Sequence, residues 1–500
     1  MKKQALAQNT KRPLVLLAVI LAMFMAAVEA TIVATAMPSI VADLGGFSIF
    51  SWVFGSYLLM QVVSIPIYGK LADIYGRKIV FSCGIIFFLI GSLICGLSKT
   101  MGVLIAGRFI QGLGAGAVQP IAQTIVGDIY PKEERAQIQG YLASVWGISS
   151  ILGPILGGIF VEYLHWSWVF LMNIPFGVVS LIFVNLFLKE SIEKKEHAID
   201  YFGSLLMFIG TAALMLVLIQ AGTYWAWNSK EVIFFSSMFL ITFILFIFQE
   251  KRAKEPMINV MLWKNRLILF ANIVSFAAGG MLLSVSSFLP TYVQGVMNAS
   301  ALVAGLTVSV ISLGWPLAST IAGKIMFKQG YRKIALLGGV SLVFGSLFYV
   351  SLPLINNAWW AGFGSFFVGV GMGLSLTTFI VAIQSSVDWT MRGEATASNM
   401  FMRILGGSVV VALLGGILNS RLSGYLTKYK DELSFEPTMD VINLLIEQND
   451  FALAISEKEM EIIQNGLIHS LSAVYWGILF FAIISFVFIL LLPKDKKAEN

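Results

Sequence analysis

Apolar runs of about 20 residues follow one another along the whole chain, parted by short polar joints. That spacing predicts fourteen membrane-crossing helices, near 14–37, 50–69, 79–97, 102–125, 138–161, 167–188, 203–221, 232–249, 267–289, 300–323, 334–353, 359–386, 396–417 and 470–492. A bilayer core takes about 20 helical residues to cross. In lipid every backbone polar group must bond within its own segment, as a helix allows. Barrel strands would alternate apolar and polar positions over about ten residues, and these runs do not alternate. The first run follows the basic segment KKQALAQNTKRP and mimics a signal peptide. It stays apolar to about Pro38 and many more spans follow, so it is read as a span.

The joints carry the topology. With the N-terminus placed in the cytoplasm, Lys2, Lys3, Lys11 and Arg12 share a side with KEER, KESIEKK, WKNR, KQGYRK and PKDKK. Most of the 33 Lys and Arg then face inward, the positive-inside asymmetry of membrane proteins. Both termini are expected to be cytoplasmic. One outside segment, 419–469, is far longer than the others and rich in acids. Within it DVINLLIEQNDFALAISEKEMEII has helical periodicity and predicts a short surface helix, read as a solvated cap.

The chain also repeats itself. GKLADIYGRK (69–78) after the second span is echoed by GKIMFKQGYRK (323–333) after the tenth, 254 residues on. Gly112, Gly114 and Gly116 in the fourth span match Gly369, Gly371 and Gly373 in the twelfth, 257 on. Gly157 and Gly158 match Gly415 and Gly416, 258 on, and Pro38 and Pro290, 252 apart, are expected to end the first and ninth spans. Spans 1–6 and 9–14 therefore read as two copies of one six-helix unit in the same orientation, with spans 7 and 8 an inserted hairpin. The expected division is 1–198, 199–255 and 256–500. Glycines spaced for close helix approach recur in both copies, but in-span charges do not. Glu29 is matched by about Met281 and Arg108 by about Ser365, so these asymmetric residues are the better functional candidates.

Composition agrees. The chain is 58% hydrophobic and 12% charged, with a mean hydropathy of +0.84, against about 25% charged in soluble proteins. The net charge of +6 reports topology; its basic residues are scattered over short joints, so nucleic-acid binding is not implied. Cys83 and Cys95, twelve residues apart in one span, cannot bridge each other and read as small buried hydrophobes. His165, His197 and His469 lie in joints or at span ends, so no metal site or other cofactor is expected.

Several stretches resemble a known family, the major facilitator superfamily, and within it the fourteen-span drug:proton antiporters of the EmrB/QacA type. GKLADIYGRK resembles the loop motif between the second and third helices, and RFIQGLGAGAVQP the fourth-helix motif with its arginine, Arg108. GISSILGPILGG resembles the fifth-helix motif of antiporters, carried by Gly147, Gly153, Pro154, Gly157 and Gly158. WSWVFLMNIPFG (166–177) resembles the group's entry to the sixth helix, and VEATIVATAMP its first-helix motif of acid, Thr31 and proline. Two departures stand out: the first-helix acid is usually Asp and here is Glu29, and the tenth span carries no further acid, so no dication preference is implied. The resemblance covers nearly the whole chain. It implies an all-α integral membrane protein with the major-facilitator fold: two parallel six-helix bundles, an inserted two-helix hairpin, and a substrate site near the midplane reached by rocking of the halves.

Candidate residues follow. Glu29 lies near the middle of the first span, where exposure of a charge to lipid would cost about 2.5–3.5 kcal/mol, so it should face the bundle interior. A carboxyl whose surroundings alternate takes up and releases a proton. Glu29 is read as proton carrier or as contact for a substrate cation, with a static pair to Arg108 as the alternative. Arg108 needs an acceptor inside the bundle, and Glu29 is the acid its half offers. Lys70, Asp73 and Arg77 read as a gate, which the resemblance places on the cytoplasmic side. Asp128 and Arg135, in GDIYPKEER, either join that network or solvate the joint. Arg403, about seven residues into the thirteenth span, is grouped with the gate or else snorkels toward the cytoplasmic face. Pro154 with its neighbouring glycines makes the fifth helix thin and bent, a hinge or plain packing.

There is no GxxxxGK[ST] loop, since the Gly-Lys pairs are followed by Leu and Ile, so transport should be secondary. One proton supplies about 2.3 kcal/mol per 100 mV and about 1.4 kcal/mol per pH unit. The 21 Met and 38 Phe suit an adaptable cavity for amphiphilic molecules. The expectation is proton-coupled efflux of amphiphilic or cationic drugs by alternating access, by a monomer in the cell membrane, with the lipid bilayer, protons and a small molecule as partners. A dedicated exporter of one endogenous metabolite or lipid is the alternative within transport. A membrane receptor or sensor is the other class, disfavoured because nothing soluble is attached to relay a signal. An enzyme is not expected, since no His-based site, metal cluster or paired-carboxylate constellation is present.

Overall fold

The computed structural model describes residues 10–45, 49, 51–190, 200–221, 225–253, 260–434 and 456–493. Fourteen helices among them are long and apolar enough to cross a membrane. They are α1 (Arg12–Leu44), α2 (Ser51–Tyr75), α3 (Arg77–Gly96), α4 (Met101–Ile129), α5 (Lys132–Tyr163), α6 (Asn173–Phe187, after a turn at Trp168–Leu171) and α7 (Tyr201–Gln220). The rest are α8 (Lys230–Arg252), α9 (Arg266–Gly295), α10 (in two pieces, Ala301–Ser309 and Ile311–Gln329), α11 (Tyr331–Val350), α12 (Ala358–Ser386), α13 (Arg392–Lys428) and α14 (Glu457–Leu490).

Helix ends are set locally. Thr100, Asp200, Ser229 and Ser300 each accept the amide three residues on, and Ser456 with Glu459 forms a reciprocal capping box. These bonds satisfy donors that a first helical turn leaves orphaned. Gly76 between α2 and α3, and Gly330 between α10 and α11, have φ of 92° and 88°, backbone that glycine adopts without a Cβ penalty. They occupy the same place in the two repeated joints. The first joint is thus one residue long, and Lys70 and Asp73 stand on the last turns of α2 rather than in a loop.

Four expected boundaries are corrected. α1 continues through Pro38 to Leu44, and α9 continues through Pro290 to Gly295; membrane helices tolerate proline because their surroundings re-satisfy the freed backbone groups. α1 closes instead at Gly45, φ 67°, whose N–H bonds the Val41 carbonyl at 2.9 Å. α13 runs on to Lys428 and α14 starts at Glu457, because polar turns extend both helices beyond their apolar stretches. The predicted surface helix in 440–463 falls largely outside the described residues, and its last part belongs to α14. Lys2, Lys3 and His197 also lie outside them.

The chain groups into two compact units, Met1–Asn272 with Ser319–Tyr331 and Thr377–Phe401, and Ile273–Ala318 with Arg332–Leu376 and Met402–Asn500. In the first, α4 packs on α2 and α3, while α1 packs on α5 and α6. Gly112 and Gly116 of α4 face Tyr57, Met60 and Ser64 on α2, and Gly114 faces Gly84 and Phe88 on α3. In the second unit Gly369 of α12 faces Ile311 at the start of the longer piece of α10, and Gly371 faces Gly338 and Leu342 on α11. Gly112 and Gly369, and Gly114 and Gly371, thus pack alike in the two copies. The hairpin α7–α8 rests on α2 through Leu206, Met207, Phe246 and Ile67. Of the apolar window in α8 only 11% is buried, against 83% in α12, which makes α8 a lipid-facing helix and α12 an interior one.

Candidate functional site

The first polar cluster is wholly inside the spans. Glu29, midway along α1, is 0% exposed and Arg108 on α4 is 2% exposed. Arg108 Nη1 donates to Glu29 Oε1 and to Gln111 Oε1, each at 2.6 Å, and Arg108 Nε donates to the Val53 carbonyl at 2.9 Å. The guanidinium lies 4.2 Å over the Tyr57 ring. Asn173, at the start of α6, donates Nδ2 to Glu29 Oε2 at 2.6 Å, and Gln111 Nε2 donates to Ser92 Oγ at 2.8 Å. Asn173 Oδ1 meets no donor among the described residues. Removing one member of a buried ion pair costs about 3–5 kcal/mol, since the other charge stays dry and unmatched.

The pairing of Glu29 with Arg108 matches the sequence expectation. Gln111, Asn173, Ser92 and Tyr57 were not anticipated, although Gln111 and Asn173 stand inside RFIQGLGAG and WSWVFLMNIPFG as amides in otherwise apolar spans. Thr31 lies elsewhere on α1: its hydroxyl bonds the carbonyls of Val28 and Ser149 at 3.0 and 3.1 Å, against Gly153 of α5. Gly157 also seats against α1, Gly147 is buried, and Gly158 has open space. Pro154 lies on the exposed side of α5, whose helix continues unbroken through it. In the second copy the corresponding positions carry no charge. Met281 is buried, and Ser365 Oγ sits 3.0 Å from the Tyr349 hydroxyl.

The second cluster gathers where α2, α3, α4 and the start of α13 meet. Asp73 Oδ1 accepts Arg77 Nη2 at 2.7 Å and the Gly393 amide at 3.0 Å; Oδ2 accepts the Glu394 amide at 2.7 Å. Arg77 also donates Nη2 to the Trp389 carbonyl at 2.6 Å, stacks 3.9 Å over the Trp389 ring and lies 2.9 Å from Asp128 Oδ2. Asp128 Oδ1 holds Arg392 Nη1 at 2.8 Å. The helix terminus that Asp73 caps is therefore that of α13, while Glu190 accepts the Arg77 and Lys78 amides, each at 3.0 Å, and caps α3. Burial raises the Glu190 carboxyl above its ordinary value, opposed by those two amides and by Arg77. Arg135 is buried and donates to the Tyr130 carbonyl at 2.9 Å; Lys70 is half-exposed. Sequence reading missed Trp389, Arg392 and Glu190.

Arg403 is not at the start of its helix. α13 begins at Arg392, which puts Arg403 about 16 Å along it at 1.5 Å per residue. Its guanidinium carbon turns sideways to within 6.0 Å of the Trp315 ring centroid.

A family profile described as Major Facilitator Superfamily matches residues 19–411. The chain belongs to the major facilitator superfamily. Multidrug resistance protein 3 of Bacillus subtilis (strain 168) is 37% identical over 411 residues, 82% of this chain and 80% of that one. Multidrug transporter protein MdtP of the same organism is 32% identical over 525 residues, covering 100% of this chain and 97% of its own length. Solved superfamily structures share the fold: the human organic anion transporter MFSD10 at a TM-score of 0.61 and 13% identity, covering 94% of this chain and 99% of its own, and the proton:xylose symporter XylE at 0.60 and 11%, covering 95% and 94%. The major-facilitator fold implied by the resemblance is thus the observed one, and this member is a transporter rather than an enzyme.

Proposed function

We propose that this superfamily member exports amphiphilic and cationic drugs from the cytoplasm in exchange for protons, with both termini cytoplasmic. The observation that carries the reading is the mid-span carboxylate, Glu29, held by Arg108 and Asn173 with no exposure. A fold needs no acid there, because the repeated half has Met281. An intramembrane acid marks an ion or substrate pathway by default. Protonation of Glu29 would release Arg108, and the unmatched Asn173 Oδ1 offers an acceptor to a donor entering beside it. The Asp73–Arg77–Asp128–Arg392 cluster serves as the latch of the cytoplasmic side, and 1–198 and 256–500 as the repeated halves of the transport cycle.

The test uses purified protein in vesicles with an imposed pH gradient. Drug-dependent proton movement is expected from the wild type and is lost in Glu29→Gln. Gradient-driven export that continues at full rate in Glu29→Gln removes Glu29 from the coupling step.

A further inference from the structure

Arg108 and Arg403 are both arginines deep within spans, but their surroundings differ. Arg108 is matched by an acid, an amide and a carbonyl. Arg403 has no carboxylate or carbonyl partner among the described residues, and no other charged group acts on it. Its side chain crosses α9 at Gly279, where Arg403 Cγ sits 3.0 Å from the place a Cβ would take. The Arg403 carbonyl abuts the same place, so Gly279 admits the backbone of α13 and brings the root of this side chain against α9. Beyond it the guanidinium meets Trp315 of α10 at 6.0 Å. Two residues further along α9 stands Met281, buried where the first copy has its acid. Arg403 is thus a half-buried residue with an aromatic face beside it and, among the described residues, no carboxylate to repel an anion.

We propose that Arg403 and Trp315 form a binding site for the anionic group of an amphiphile. The planar fork of guanidinium donors takes a carboxylate or another oxyanion, and the apolar body lies against Trp315. The inference rests on the efflux reading and widens its substrate class from cations to anions and zwitterions. The same chemistry has two sources, a soluble aromatic acid or an anionic phospholipid headgroup.

Equilibrium dialysis of the purified full-length protein in phosphatidylcholine nanodiscs tests it, with 2-naphthoate, 2-naphthamide and 2-naphthylmethylammonium as matched probes. Naphthoate should bind more tightly than naphthamide. Arg403→Gln should weaken naphthoate by about tenfold or more, as loss of a charge-assisted hydrogen bond implies, and leave naphthamide unchanged. Arg403→Lys should weaken naphthoate less, and Trp315→Leu should weaken naphthoate and naphthamide alike. If Arg403→Gln does not fold, the Lys and Trp315→Leu variants decide. In nanodiscs containing phosphatidylglycerol, displacement of naphthoate together with a higher melting temperature, both absent in Arg403→Gln, assigns the site to lipid. Equal naphthoate affinity in wild type and Arg403→Gln, with no phosphatidylglycerol effect that depends on Arg403, overturns the proposal. Binding is read without a gradient, so failed proton coupling with intact naphthoate binding counts against the efflux reading alone.

Discussion

Asp73 and Glu394 are 321 residues apart in the chain, yet Asp73 Oδ2 accepts the Glu394 amide at 2.7 Å. The other carboxylate oxygen takes the Gly393 amide and Arg77. A side chain at the end of α2 therefore caps α13, and gains both the hydrogen bonds and the favourable end of the helix dipole. Trp389 and Arg392, immediately before, are held by Arg77 and Asp128.

Asp73→Ala leaves two amides without their acceptor and takes one of several acceptors from the buried Arg77 guanidinium. The expected loss is about 1–3 kcal/mol, seen as a lower melting temperature of the purified protein. Asp73→Asn keeps one acceptor oxygen but no charge, and should fall between wild type and Asp73→Ala. Equal melting of Asp73→Ala and wild type would remove the cap as a source of stability.

Glu29 and Arg108 should show strong coupling in a double-mutant cycle. Arg108→Gln strands a buried carboxylate and Glu29→Gln a buried guanidinium, so each single variant is expected to lose about 3 kcal/mol or more. The double variant should cost less than the two added, because neither charge is left unmatched. Transport should not recover with stability: the double variant folds but carries no proton. Simple additivity of the melting shifts would show that the pair at 2.6 Å is energetically idle.

Much of the fold is legible in the sequence because one long apolar run makes one span, and an 18-residue stretch within Arg266–Gly295 averages a hydropathy of 2.0. Where a helix stops is less legible. Pro38 reads as an end, but the chain stays helical until Gly45 takes positive φ. Neighbours are the least legible of all. Arg108 advertises its need for an acid, so Glu29 could be paired with it in advance, whereas nothing local in MNIPFG says that Asn173 reaches the other oxygen. Arg392 and Trp389 lie in a polar joint like any other, and only tertiary proximity makes them partners of Asp128 and Arg77.

The repeated glycines make a sharper packing prediction. A Cβ at Gly114 would stand 2.5 Å from the Gly84 carbonyl and 2.7 Å from Phe88 Cα, and both are backbone atoms that cannot swing aside. Gly114→Val should therefore prevent the α3–α4 contact, and folded protein should be lost from the membrane fraction. Gly158, in the antiporter-like stretch of α5, has no atom within 4 Å of such a Cβ, so Gly158→Ala should fold like wild type. Recovery of both variants at equal yield would contradict close approach at Gly114.

Glu190 gives a prediction in pH. Its carboxyl caps α3 through two backbone amides, and burial raises it above the ordinary 4.5. A carboxyl with a higher pKa folded than unfolded holds its proton more tightly in the folded state, so protonation supports folding. That support is complete below a pH of about 4.5 and fades as pH rises through the raised value. The wild type should therefore lose melting temperature relative to Glu190→Gln across that window, since the amide is neutral throughout and keeps one acceptor for the cap. Glu190→Ala should melt lower than either at every pH, because it leaves the Arg77 and Lys78 amides without their acceptor. Melting curves of the three proteins from pH 4 upward check both statements. A constant gap between wild type and Glu190→Gln would mean that this carboxylate does not titrate with folding.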